Sequence, residues 1–364
     1  MATISQRPWA SKAVITAAAG AAIFFIGIGS AFVSKSSLDD THAEMAPERI
    51  AANTPMVTLN TGQHMPLFGL GTSGINGEQC TNSVRKAIQL GYRHIDSAIM
   101  YGNDEFTGRA LAAALDAGEV KREDLFVVSK LPQNEHEQSR VEPALRAALK
   151  RLRLDYVDLF LVHWPCTDKP GPTLNPPMQE TWKGMEAVVD AGLTRGIGIS
   201  NFSPEKIIEW FSDARIYPSV NQVEVHPHWR NQRLLDFCKD KGIHVTAYGP
   251  LTSPGNMAGK FPILLKDETV VKIAQEEGKS PAQVLLQWGL RHGTSVIPEG
   301  KSEAHQKDNL GSIGWELSNE HYKTLSTLPY QAKYFTGQGM GYSEKGPWYT
   351  FEDLWNEPKP DTDP

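Results

Sequence analysis

Along most of the chain, short apolar runs alternate with longer stretches in which apolar positions recur every three or four residues. The short runs are Leu67–Leu70, Arg93–Asp96, Leu125–Ser129, Tyr156–His163, Gly196–Ser200, Ser219–Val225, His244–Tyr248 and Thr294–Ile297. They have the length of buried strands and no helical period. The longer stretches are Cys80–Leu90, Asp104–Ala117, Val141–Arg151, Gln179–Asp190, Pro204–Ala214, Gln232–Lys241 and Pro281–Arg291. Val141, Leu145, Ala148, Leu149 and Leu152 form one helical stripe. Gly91, Gly118, Gly192 and Gly242 stand where a left-handed residue ends a helix. A hairpin precedes the series, running from Met56–Leu59 through a turn at Asn60–Gln63 into His64–Pro66. This repeated strand–helix alternation predicts an α/β fold, a closed (β/α)8 TIM barrel. An open doubly wound sheet is the rival, but it calls for a G-x-G-x-x-G loop after its first strand. Gly69-Leu70-Gly71-Thr72-Ser73-Gly74 has a different spacing.

The N-terminal region breaks the pattern. Ala13–Ser34 carries no charge, with Arg7 and Lys12 before it and Lys35 after it. As a helix it would reach about 33 Å, enough for a hydrocarbon layer of about 30 Å. Three readings stay open: a single-pass membrane anchor, a targeting segment that is removed, and a buried helix of the fold. The basic residues within 1–12 favour an inside N-terminus and a translocated body. Residues 35–55 are polar and aperiodic and read as a linker. The barrel domain with its C-terminal tail then fills 56–364.

Composition narrows the partners. Lys+Arg total 36 and Asp+Glu 42, for a net charge of −6. Both signs are scattered, so no basic stripe points to nucleic acid. Cys80, Cys166 and Cys238 show no zinc or redox spacing. They predict reduced thiols, no metal, and a reducing compartment, which sits against a translocated body. Nothing in the pattern requires an oligomer.

Asp96, Tyr101, Lys130 and His163 each lie at or just after the end of a predicted strand. In a parallel barrel those ends gather on one face, so the four would share a pocket. A tyrosine beside an ammonium, a carboxylate and an imidazole is suited to give or take a proton near neutral pH. Taken singly, Lys130–Asp96 would read as an ion pair and His163-Trp164-Pro165 as packing.

Motifs at successive strand ends sharpen this. They are Gly69-Leu70-Gly71-Thr72, Gly91-Tyr92-Arg93-His94-Ile95-Asp96-Ser97-Ala98 with Tyr101-Gly102-Asn103, Val128-Ser129-Lys130-Leu131, Leu161-Val162-His163-Trp164-Pro165, Gly196-Ile197-Gly198-Ile199-Ser200-Asn201-Phe202, Asn221-Gln222-Val223-Glu224, Val245-Thr246-Ala247-Tyr248 and Val296-Ile297-Pro298. In this order the chain resembles the aldo-keto reductase family over about residues 56–357. The resemblance implies NAD(P)H-dependent reduction of an aldehyde or ketone without a metal. Tyr101 would give the proton, Lys130 would lower its pKa, Asp96 would hold Lys130, and His163 would orient the carbonyl oxygen. Tyr248 would stack on the nicotinamide, while Ser200, Asn201 and Gln222 would hold its carboxamide. Leu251, Lys301, His305, Asp308 and Asn309 would complete the cofactor site. Ser203 is the expected helix cap.

Departures from the family pattern qualify these expectations. Glu299 and His305 stand where cations grip the 2′-phosphate of NADP(H), which makes NAD(H) use plausible. A second register, with two inserted residues, puts Lys301 and Lys307 there instead. Ser73 and Pro132 replace frequent aromatics of the substrate pocket, and Gly249 replaces a serine near the pyrophosphate. These changes suggest a wider, polar mouth for sugar-derived or short polar aldehydes. Trp164 would wall the substrate pocket or only pack. The tail Gly346–Trp355 resembles plant-type members and would lie beside the site or merely cover the barrel wall. The alternative function is a cofactor-sensing regulatory subunit of a membrane partner.

Overall fold

The computed structural model describes residues 47–252 and 262–359. The chain divides into two compact units, Met1–Glu44 and Met45–Pro364. The first unit, with the apolar run Ala13–Ser34, lies outside the described residues. Among the described residues no helix is long and apolar enough to cross a membrane. Residues 35–46 of the expected linker also lie outside them. Its remainder departs from the expectation: Pro47–Asn53 is a helix, α1, and Ile50 is buried in the core.

The hairpin is β1 (Met56–Thr58) paired antiparallel with β2 (His64–Pro66). Met65 and Leu59 are buried in a cluster with Phe126, Val128, Leu159, Leu161 and Val220. The hairpin thus plugs one end of the barrel with apolar side chains, away from the strand tips.

The eight barrel strands are β3 (Leu70–Gly71), β4 (His94–Asp96), β5 (Phe126–Leu131), β6 (Leu159–Val162), β7 (Ile197–Ser200), β8 (Val220–Glu224), β9 (His244–Tyr248) and β10 (Ser295–Val296). All neighbouring pairs are parallel and follow chain order. Closure comes from β10 meeting the chain just before β3. Gly69 N donates to Val296 O at 2.9 Å, Val296 N to Leu67 O at 2.8 Å, and Gly71 N to Pro298 O at 3.0 Å. The (β/α)8 barrel expected from the alternation is therefore present. The first and last strands are shorter than the apolar runs predicted. Only part of each run pairs regularly, and isolated bridges such as Phe68–Val296 carry the rest.

Helices α2 (Gly77–Leu90), α3 (Asp104–Asp116), α4 (Gln138–Leu152), α5 (Met178–Asp190), α6 (Pro204–Phe211) and α7 (Gln232–Asp240) match the predicted stretches within a few residues. Gly91, Gly118, Gly192 and Gly242 all have positive φ, as the helix stops required. α8 (Glu268–Glu277), α9 (Pro281–Arg291), α10 (Glu303–Leu310), α11 (Asn319–Ser326) and α12 (Phe351–Trp355) complete the described set. Of these five only α9 was read from the sequence. Cys80, Cys166 and Cys238 are buried free thiols, as expected.

Candidate active site

The site follows from the two-residue period of the strands. In β5, Phe126 and Val128 face the barrel interior, so Lys130 faces inward one layer higher. In β6, Leu159 and Leu161 do the same, which brings His163 inward at the tip. Val220 in β8 puts Gln222 on the same layer, and in β7 and β9 Ser200 and Tyr248 end their strands there. The polar top layer is the continuation of the apolar layers beneath it.

Lys130 is fully buried. Its Nζ donates to Asp96 Oδ1 at 2.5 Å, to the carbonyl of Ser97 at 2.9 Å and to Tyr101 Oη at 3.2 Å. Tyr101 ends a short turn, Ile99–Tyr101, and Gly102 with φ 68° reverses the chain into α3. Only glycine takes that conformation without a penalty. Asn103 anchors the turn by donating to the carbonyls of Thr72 and Ile75, both at 2.8 Å. The rings of Tyr101 and His163 lie 5.6 Å apart and meet at 77°. Asp96, Tyr101, Lys130 and His163 therefore do converge.

The electrostatics differ in one respect from the expectation. Burial pushes the Tyr101 phenol above its usual value, and the opposing pull of the Lys130 ammonium does not overcome it. The predicted lowering of the Tyr101 pKa is corrected accordingly, because a phenolate loses more hydration than one ammonium returns. For Lys130 burial is the largest influence and works downward. The charge and hydrogen bonds of Asp96 and Tyr101 outweigh it, so the net direction is up. Burial, then Lys130, then His136 hold His163 well below the ordinary imidazole value, so it is neutral.

Several predicted cofactor residues are already bonded to one another. Gln222 Nε2 donates to Asp96 Oδ2 at 2.7 Å, across the barrel. That side of the amide is committed to the carboxylate, where a carboxamide contact was expected. Asn201 has φ 69°. Its Nδ2 donates to His163 O at 3.0 Å and Ser200 Oγ at 3.1 Å, and its Oδ1 accepts from Tyr248 Oη at 2.9 Å. Ser203 is the cap of α6, accepting from Lys206 N. Leu251 is half-buried against the core. Gly249 has φ 58°, and a Cβ there would meet Phe335 at 3.2 Å; Phe335 also packs edge-on to Tyr248 at 5.5 Å.

The far end of the predicted cofactor site is the start of α10. Ser302 caps it, accepting from His305 N at 3.2 Å, and Lys301, Ser302 and His305 are exposed. Lys301 Nζ lies 3.0 Å from Glu299 Oε1, so the carboxylate that would repel a phosphate carries its own counter-ion. Lys307 Nζ lies 3.5 Å from a carboxylate oxygen of Glu303. Asp308 accepts from Ser280 Oγ and Gln283 Nε2, both at 3.0 Å, and Asn309 Nδ2 donates to Glu299 O at 3.3 Å. An aromatic ring at the strand tips, amides beside it, and an exposed helix N-terminus with a lysine and a serine fit a nicotinamide dinucleotide.

Of the two residues expected to line a substrate pocket, Ser73 is exposed and its hydroxyl reaches Tyr101. Trp164 is 5% exposed and packs against Trp355 of the tail at 6.1 Å, in a cluster with Cys166, Phe351 and Leu354. The tail therefore covers the residue next to His163, and packing accounts for most of the Trp164 surface.

Sequence reasoning missed a second buried group at the tip of β8. Glu224 is fully buried and accepts from Tyr334 N at 2.8 Å, Phe335 N at 2.9 Å and His226 Nε2 at 2.9 Å, with buried Lys333 at 3.7 Å. Its signal was the period itself: Glu224 is two residues beyond Gln222 and belongs to the same inward face.

Comparison with known proteins agrees with the geometry. The profile of the Aldo/keto reductase family matches residues 66–328. Aldo-keto reductase family 4 member C11 of Arabidopsis thaliana is 41% identical over 305 residues, covering 82% of this chain and 96% of the relative. An NAD(P)H-dependent D-xylose reductase of Pyricularia oryzae is 36% identical over 327 residues, covering 83% and 98%. The crystal structure of a Bombyx mori aldo-keto reductase in complex with NADP superposes with a TM-score of 0.71. It is 35% identical, with 75% of this chain and 92% of that chain covered. A barrel closed in chain order, a polar layer at its strand tips and relatives matched over nearly their whole length give one conclusion: the chain belongs to the aldo/keto reductase family of NAD(P)H-dependent oxidoreductases.

Proposed function

We propose that the strand-tip cleft reduces an aldehyde or ketone to an alcohol, with Tyr101 as the acid. The observation that carries this is Lys130 Nζ held between Asp96 Oδ1 at 2.5 Å and Tyr101 Oη at 3.2 Å. Because Lys130 donates to the phenol oxygen, the phenol proton is left to point at a substrate. Burial keeps that proton on Tyr101 at neutral pH. Once it moves to the carbonyl oxygen, the phenolate left behind faces an ammonium 3.2 Å away. Asp96 keeps Lys130 charged, and Gln222 keeps Asp96 in place. His163, neutral, offers an N–H to the carbonyl oxygen and so orients it. A nicotinamide cofactor, when bound, would supply the hydride for the carbonyl carbon.

The polar mouth supports small polar aldehydes, including sugar-derived ones, as substrates. A cavity of about 350 Å³ between the loops that follow β5 and β6 and the C-terminal tail is lined by Gln133, Asn134, Asp168, Tyr342, Ser343 and Lys345 among others, the first three close in sequence to Lys130 or His163. One relative is named for D-xylose reduction. The Glu299–Lys301 pair and the exposed His305 support use of both NADPH and NADH. A panel of aldehydes with each reduced cofactor tests the assignment, read as loss of reduced-nicotinamide absorbance. Turnover with kcat/KM for the two cofactors within about tenfold, or about 1.4 kcal/mol, is expected. A far larger preference for NADPH would remove the relaxed-specificity reading. Tight cofactor binding with no turnover would favour the regulatory-subunit reading. Membrane attachment through residues 13–34 is proposed separately. Release of the full chain from membranes by alkaline carbonate would count against it.

A further inference from the structure

Two buried imidazoles beside the cleft have nitrogens with no hydrogen-bond partner among the described residues. His136, in the loop between β5 and α4, is 1% exposed, and both its Nδ1 and Nε2 are unpartnered. His163 Nδ1 is buried and unpartnered as well, which leaves Nε2 as the nitrogen that opens on the cleft beside Tyr101. The two residues are brought together by register. Leu131 pairs with Val162, and His163 N donates to Leu131 O at 3.1 Å, so the loop that leaves β5 runs alongside His163. The carbonyl of His136 accepts from Thr181 Oγ1 at 2.7 Å, which fixes the backbone that carries its ring. His136 is among the groups that disfavour a charged His163, whereas burial alone acts on His136. Burial holds His136 down to about 3. Both rings are therefore neutral, and each has one N–H and one lone pair to satisfy. Interior polar atoms of this kind are paired with protein or with a buried water.

We propose that His136 and the Nδ1 side of His163 form a buried water site, and that the water held there fixes His163 as the Nε2–H tautomer. This rests on the reading of His163 as the donor that orients the carbonyl. A carbonyl oxygen only accepts, so His163 must present a proton at Nε2 and a lone pair at Nδ1. The opposite tautomer would aim a lone pair at the carbonyl oxygen. Which nitrogen carries the proton is set by the hydrogen bond made at the other one. A water has two protons and two lone pairs. One proton goes to Nδ1 of His163, and His136 accepts the other or donates to the oxygen. His136 is thus a positioning residue that acts through His163.

The test is the tautomer of His163 in the full chain, labelled with nitrogen-15 at histidine and assigned by comparison with His163→Gln. The wild type is expected to show Nε2 as the protonated, pyrrole-type nitrogen and Nδ1 as the pyridine type. His136→Leu, similar in size but apolar, is expected to mix or invert the two signals. It should also lower kcat by about tenfold or more while leaving the KM for cofactor unchanged, in line with other partners that fix an imidazole tautomer. His136→Gln, which both donates and accepts, should restore the wild-type signals and most of kcat. A wild-type His163 protonated at Nδ1, or signals untouched by His136→Leu, would overturn the proposal. The wild-type spectrum decides even if the leucine variant does not fold. Full carbonyl reduction by His163→Ala would instead remove the reading of His163 itself, and this proposal with it.

Discussion

Lys130 and Tyr101 show what one residue's surroundings decide. A phenol is a poor acid at neutral pH, yet the proposed reduction requires it to arrive protonated and to leave its charge somewhere stable. Burial secures the first and Lys130 the second. Tyr101→Phe removes the proton but little else, since Lys130 keeps Asp96 and Ser97 as partners. Its kcat should fall by about 10²-fold or more, with the cofactor dissociation constant measured by fluorescence titration nearly unchanged. Near wild-type turnover would refute Tyr101 as the acid. His163 gives a pH prediction. Its pKa lies well below 6.5, so the imidazole is neutral on both sides of the ordinary histidine value. The profile of kcat/KM should have no inflection near pH 6.5 that disappears in His163→Gln. Tyr101, shifted upward, should place the alkaline decline of reduction above the usual phenol range.

Among the elements, the close approach of α3 to the end of α4 depends on one position. A Cβ at Gly108 would stand 2.1 Å from Arg151 O and 2.7 Å from the Leu152 carbonyl carbon. In an exposed helix, Gly→Ala would stabilise by about 1 kcal/mol. Here the backbones must part, at a cost of about 1–3 kcal/mol or more. Gly108→Ala is therefore expected to lower the unfolding midpoint in urea, and an unchanged or higher midpoint would show that the two helices separate freely. The same scale explains which helices were legible. α4 buries Val141, Leu145, Ala148, Leu149 and Leu152, an apolar stripe visible in the sequence. α10 buries Gln306, Asn309 and Leu310. Gln306 Nε2 donates to Ser83 O, Ser83 Oγ and Gly300 O at 2.8–2.9 Å. A helix held by a buried amide leaves no apolar period to read. Pro47–Asn53 escaped for a related reason, since its one described core contact, Ile50, gives no repeat.

For the whole molecule, buried neutral histidines set the acid limit of stability. Burial holds His136 down to about 3, and His228 and His244 down to about 4. In the unfolded chain each would titrate near 6.5. Below that value the unfolded state binds more protons, so stability falls as pH falls, until each folded pKa is reached. The melting temperature should be level above about pH 7 and drop steadily between pH 6.5 and 4. His244→Gln should make the decline shallower. A melting temperature that rises on acidification through that window would contradict the burial of these rings. The tail belongs to this scale too. Glu224, Lys333 and the backbone of Tyr334 and Phe335 tie the chain after α11 to the tip of β8. Trp355 then covers Trp164. Lys333 Nζ, 3.7 Å from Glu224, also lies 3.8 Å over the Trp355 ring, so this buried pair links the segment beside Tyr248 to the segment beside His163.

Local order was written in the sequence. Strand runs, helical stripes and glycine stops depend on residues within a turn or two of each other, and these gave the alternation, the barrel and the strand-tip positions of Asp96, Tyr101, Lys130 and His163. Long-range choices were not. Gln222 gives its amide to Asp96, 126 positions away, because the two strands face each other across the barrel. The direction of the Tyr101 shift required knowing how much water the folded chain excludes. Burial of Trp164 depended on a tail that returns from nearly two hundred residues later. Periodicity reports which face a residue takes, whereas only packing in three dimensions decides what meets it there and how dry that meeting is.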